Sequence, residues 1–129
     1  MRLTKTCQNT FVMGLDQTAY AVSKKGSEKT SEELAYWRKH NALQGWMENL
    51  YHLRGGKEPF NCEEIELTSE DIDLLESVVE NNALPETQGF FYGPDSSQDE
   101  DKKEITVEFI KAARFHLGLG SEIYYSCSW

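Results

Sequence analysis

Polar and apolar positions alternate along Asp16–Lys24, with Thr18, Tyr20 and Val22 on one side and Ala19 and Ala21 on the other. That period predicts a strand. Residues 25–29 are rich in glycine and charge and predict a loop. Thr30-Ser31-Glu32-Glu33 then has the form of a helix start, in which Thr30 caps and Glu33 reaches back as in a capping box. Beyond it Tyr36, Leu43, Met47 and Leu50 fall on one helical face, with Trp46 and Leu53 beside it. Leu34 and Trp37 lie off that stripe, so the element is either buried on two sides or bent. Asn41 offers a second start as an N-cap, with Gln44 three residues on, and Gly55-Gly56 ends the element.

Residues 60–67 (FNCEEIEL) form a second strand candidate with imperfect alternation. Thr68-Ser69-Glu70-Asp71 starts another helix with the stripe Ile72, Leu75, Val78 and Val79, stopped by Asn81-Asn82 and Pro85. Residues 84–94 (LPETQGFFYGP) predict a loop in which Phe90–Tyr92 is either a short strand or a plug for the core. Residues 95–103 (DSSQDEDKK) predict a mobile surface loop. Thr106 is expected to cap a last helix running to about Leu117, with Phe109 or Ile110, Ala113 and Leu117 inward and Gly118 and Gly120 as terminators. Glu122–Trp129 closes the chain as a strand, with Ile123, Tyr125 and Cys127 on one face and Tyr124 on the other. This strand could form an exposed sheet edge, and an edge invites pairing in a homodimer.

This order predicts an α+β fold: a small antiparallel sheet of about three strands packed by about three helices, in a single domain over residues 13–129. Residues 1–12 are polar and without a period, and predict a loose arm. A chain of 129 residues suffices for a real core without metal or disulfide staples.

The chain carries 22 acidic and 13 basic residues, a net charge of −9, which excludes nonspecific nucleic-acid binding and docking on an anionic membrane surface. No apolar run reaches the length of a membrane span, and the N-terminus lacks the apolar region of a signal peptide. The three cysteines, Cys7, Cys62 and Cys127, have no metal spacing. They predict unpaired thiols and a cytoplasmic location. His40, His52 and His116 form no metal motif, no glycine-rich phosphate loop is present, and no cofactor is implied. Catalytic residues are not identifiable, and the chain reads as a non-enzyme more readily than as an enzyme.

The best candidate for recognition is aromatic and basic: Tyr36, Trp37, Arg38, Lys39, His40 and Trp46, with Tyr92 from the loop. Arg38 offers a planar fork for carboxylate or phosphate, and Trp37 a stacking face. The competing reading puts Trp37 in the core and Arg38 in an internal ion pair. Three functions fit these residues: a module that binds a protein, a small-molecule or nucleotide binder with Trp37 or Tyr92 stacking a base, and a small enzyme pairing His40 or His52 with a cysteine or carboxylate.

MGLD at 13–16, ELAYWRKHNALQGWMENLY at 33–51, FNCEEIELT at 60–68, LPETQGFFYG at 84–93 and IYYSCSW at 123–129 resemble a widespread family of small proteins encoded by bacteriophages and prophages. The resemblance covers residues 13–129. It implies a phage accessory protein in the cytoplasm of a bacterial host, without an established activity, and therefore one that engages or inhibits a host protein or sequesters a small molecule. Family members begin at the MGLD segment, so the twelve residues before Met13 are a departure: either translation starts at Met13 or this chain carries an additional arm.

Overall fold

The computed structural model describes residues 14–85 and 100–129. The element order is β1 (Asp16–Lys25), β2 (Glu28–Arg38), α1 (Asn41–Leu53), β3 (Glu64–Leu67), α2 (Ser69–Glu80), α3 (Glu100–Gly118) and β4 (Glu122–Ser128). This is the expected α+β class, with four described strands rather than about three. The strands form one antiparallel sheet in the order β2-β1-β4-β3. The expected arm (residues 1–12) and the Phe90–Tyr92 strand lie outside the described residues.

Strand β1 follows its alternation as far as Ala21 and departs from it at Val22, which is buried although expected to share a face with Thr18 and Tyr20. Gln17, Ala19 and Ala21 are buried, while Thr18 and Tyr20 are half-buried on the other face. Gly26, at φ +62°, sits first in the two-residue turn between the paired Lys25 and Glu28. Positive φ at that position suits a tight hairpin, and only glycine adopts it without strain.

The hairpin overturns the helix expected from Thr30. Residues 28–38 pair with β1 from Lys25↔Glu28 to Asp16↔Arg38. The Thr-Ser-Glu-Glu cap signal is local, and pairing along a whole neighbouring strand outweighs it. The off-stripe residues now make sense. Trp37 and Ala35 are buried because they face inward from a strand, and Leu34 is the extra residue where the register slips between Ala19↔Ala35 and Tyr20↔Glu33. The helix starts at Asn41, with His40 as its cap: the His40 ring Nδ1 accepts the Leu43 N–H at 3.4 Å. Leu43 and Met47 fill the core, while Leu53 is exposed.

Helix α2 begins as its sequence indicates. The Thr68 hydroxyl accepts the Asp71 N–H at 3.3 Å, and Asp71 accepts the Thr68 N–H at 2.8 Å, a complete capping box. The Asp71 carboxylate also pairs with the Arg54 guanidinium. A second Arg54 nitrogen donates to the Glu66 carbonyl of the edge strand β3. That contact occupies part of an edge that would otherwise be open to another strand.

Helix α3 starts at Glu100, so residues 100–103 are helical and not loop as expected. A solvent-facing first turn needs no apolar residue, and Glu100 and Asp101 are favoured there by the helix dipole. Thr106 is therefore not a cap. It is buried in mid-helix, where its hydroxyl donates to the Lys102 carbonyl at 2.8 Å. Strand β4 has the predicted faces, with Ile123, Tyr125 and Cys127 buried, but it runs between β1 and β3 and is not an edge. The expected dimer edge is thus not at β4; among the described strands, β2 and β3 are outermost. Beyond β4, the Asn61 side chain donates to the Trp129 carbonyl and accepts the Trp129 N–H, both at 2.9 Å, as a further strand would. No helix among the described residues is long and apolar enough to cross a membrane.

Thr68→Ala is expected to cost about 1 kcal/mol, read as a lower urea midpoint at unchanged slope. Burial pushes the Asp71 carboxyl up, but the hydrogen bonds from Arg54 and Thr68 outweigh it and hold the pKa below its ordinary value. The stability this confers is present above the ordinary carboxylate pKa and is lost as pH falls through the lower, folded one. Thermal unfolding should therefore show wild type well above Asp71→Asn at neutral pH, with the gap closing in acid.

Candidate functional site

Strand period divides the aromatic and basic segment in two. Trp37 points into the core and is 1% exposed. Its indole N–H donates to the Thr106 hydroxyl at 2.9 Å, and its ring meets Phe109 edge-on at 5.4 Å between centroids. Tyr36, 46% exposed, and Arg38 point the other way. Both donate to the same Asp16 oxygen at 2.6 Å. The hydrogen bond to Asp16, together with partial burial, holds the Tyr36 phenol above its ordinary pKa. Lys39 turns the chain at φ +60°, and His40 is buried beneath it. Trp46 is half-buried against the core, and Tyr92 lies outside the described residues. The segment is therefore not one surface: Tyr36 and Arg38 stay on the outside, and Trp37 and His40 belong to the interior.

The outward face of the sheet gathers other residues. All three helices supply side chains to the opposite face, where Gln44 reaches Cys127, Thr106 reaches Trp37, and Ile72 and Leu75 join the core. On the outward face the registers place Glu66 opposite Tyr124, Tyr124 opposite Tyr20, and Tyr20 opposite Glu33. These four residues form one row across β3, β4, β1 and β2. Tyr20 and Tyr124 stack at 5.6 Å with 23° between planes. The next row holds Glu64, Ser126, Thr18 and Tyr36. The Tyr20 hydroxyl donates to Glu64, and that of Tyr124 to Glu122 at 3.3 Å. Partial burial, then the charges of Glu122, Glu66 and Glu64, push the Tyr124 phenol above its ordinary pKa. The surroundings of Tyr124 are thus negative.

The period-2 pattern separated Tyr20 and Tyr124 from the core face, but it carried no sign that they meet. That follows from β4 lying beside β1, a pairing of residues about a hundred positions apart that no local spacing encodes.

The features needed for the other two functions are dispersed. A cavity of about 210 Å³ is lined by His40, Ala42, Val79, Leu84, Lys103 and Thr106. It lies beside the first helix, but neither Trp37 nor Arg38 lines it, and neither lines a larger cleft of about 580 Å³ between Tyr51, Arg54, Glu64 and Thr68. The Cys127 thiol is buried between the Gln44 amide and the Phe60 carbonyl, and burial pushes its pKa up to about 12. A thiol so placed is a poor nucleophile. Cys62 is disulfide-bonded, contrary to the expectation of unpaired thiols. The His52 ring lies 2.9 Å from the Gly56 carbonyl, and His116 lies 3.5 Å from Glu32. No group of three or more His, Cys, Asp or Glu among the described residues could hold a metal. No family model, curated protein or solved structure matches the chain.

The division of the segment has a direct consequence. Trp37→Ala should cost about 3–5 kcal/mol in urea unfolding, as a large core truncation does. Tyr36→Ala, one residue away, should cost less than about 1 kcal/mol.

Proposed function

We propose that this chain is an accessory protein encoded by a phage or prophage, and that it acts by binding a protein of its bacterial host through the outward face of the sheet. The origin is proposed from the resemblance of its motifs to those of a phage family. The binding reading rests on one observation: tyrosines of three strands, Tyr20, Tyr36 and Tyr124, stand on the face opposite the helices. Tyrosine provides a large contact area with few rotatable bonds and a polar end, so it is enriched where proteins meet. A four-stranded sheet also holds such residues in fixed relative positions, which reduces the ordering cost of association.

The test is affinity capture from bacterial host lysate with the wild type and with Tyr36→Ala/Tyr124→Ala, folding being checked by circular dichroism. The expected result is a host protein retained by the wild type and reduced at least about tenfold with the variant, as for the loss of central contact residues. Equal retention by both proteins, or none by either, contradicts the proposal. Trp37 is unsuitable for this test, because its loss acts on the fold.

A further inference from the structure

The row Glu66–Tyr124–Tyr20–Glu33 defines the chemistry of what it can bind. Two stacked tyrosines stand at its centre, and a carboxylate from each edge strand closes it at either end. Glu33 and Glu66 are both exposed, and neither makes an ion pair among the described residues. Among the described residues, the charged strand residues of this face are Asp16, Glu33, Glu64, Glu66 and Glu122 against Lys24, Lys29 and Arg38, and Arg54 reaches its edge from the end of α1. The strand cations sit away from the row, and Arg54, beside Glu66, is engaged by the Glu66 carbonyl and Asp71. Arg38 is held by Asp16 at 2.6 Å, and Lys24 and Lys29 face each other towards the tip of the hairpin, Lys24 lying 3.8 Å from Glu122. The centre of the face is thus aromatic and negative.

We infer that this row docks an extended, lysine- or arginine-bearing segment of a partner protein, laid across the strands. The inference rests on the reading of this face as the binding surface and adds the chemistry of the partner. Three interstrand gaps separate Glu66 from Glu33, about 14 Å in all. In an extended chain, residues four apart lie about 13 Å from each other and point the same way. Cationic side chains at such positions reach both glutamates. A third, midway between them, falls beside Tyr124, whose ring attracts cations. Negative charge on the edge strands also deters pairing between copies of the sheet, and leaves a cationic partner favoured.

The probe is a short synthetic peptide alternating lysine and serine, labelled for fluorescence anisotropy, titrated with the full chain at low salt. A peptide alternating glutamate and serine is the control. The expected result is binding of the lysine peptide alone, weakened by salt and weakened about fivefold by Glu33→Gln/Glu66→Gln, the effect expected of two exposed ion pairs. These substitutions exchange exposed carboxylates for amides of the same shape and should leave thermal unfolding unchanged. Should the control bind equally well, or the lysine peptide bind the variant as it does wild type, the inference is overturned. Displacement of the peptide by spermidine at equal charge concentration overturns the commitment to a protein segment, and concentration-dependent self-association lost in the variant assigns the face to a second copy. Failure of the peptide alongside host capture that depends on Tyr36 and Tyr124 overturns the cationic partner alone. Loss of both results overturns the binding face as well.

Discussion

The Gln17 side chain holds the fold together. It is fully buried, and its amide is satisfied on both sides: the oxygen accepts the His40 N–H at 3.0 Å, and the nitrogen donates to the His40 carbonyl at 3.0 Å and to the Tyr125 hydroxyl at 2.9 Å. The Tyr125 hydroxyl donates onward to Gln44 at 2.6 Å, and Gln44 donates to Cys127 and to the Phe60 carbonyl. Trp129 donates its indole N–H to that same carbonyl at 2.7 Å. Buried polar groups are costly unless paired, so this chain of bonds permits one arrangement of β1, the start of α1, the segment at Phe60 and the end of β4. An apolar core of the same volume would tolerate sliding of α1 along the sheet; a satisfied amide network does not.

That constraint determines where function can reside. Because Gln17 holds His40 by both backbone groups, β2 must end at Arg38 and α1 must begin at Asn41. The Trp37 ring then reaches the Thr106 hydroxyl and is lost to recognition. The helices gather on one face of the sheet, and the tyrosines of β1, β2 and β4 are left on the other. The tyrosine face is a by-product of the layer architecture: alternation places every second residue of each strand outward, and the register aligns those residues into rows.

Much of this was legible in the sequence. The alternation sorted the residues of β4, and those of β1 as far as Ala21, onto the two faces found, and Thr68-Ser69-Glu70-Asp71 marked the start of α2, because these signals are local and not contested. The errors arose where a local signal met a distant one. Thr30-Ser31-Glu32-Glu33 has good cap chemistry, yet β1 lies alongside and claims it. The first turn of α3 is charged on all sides and has no periodicity to read. The candidate site was half legible: Tyr36 and Arg38 were identified, but they were grouped with Trp37, which a strand turns to the opposite face. Tyr20 and Tyr124 could be assigned to a face but not to each other, since strand order is a property of the whole chain.

The pairing of residues 30–38 with β1 takes Trp37 out of the surface and creates the tyrosine face. Backbone chemical shifts of the full chain, with nuclear Overhauser contacts between β1 and β2, test this most directly. Extended shifts over 30–38, with contacts linking Thr18 to Tyr36 and Asp16 to Arg38, are predicted. Helical shifts over the same residues would contradict it, and would return Trp37 and Arg38 to one exposed surface.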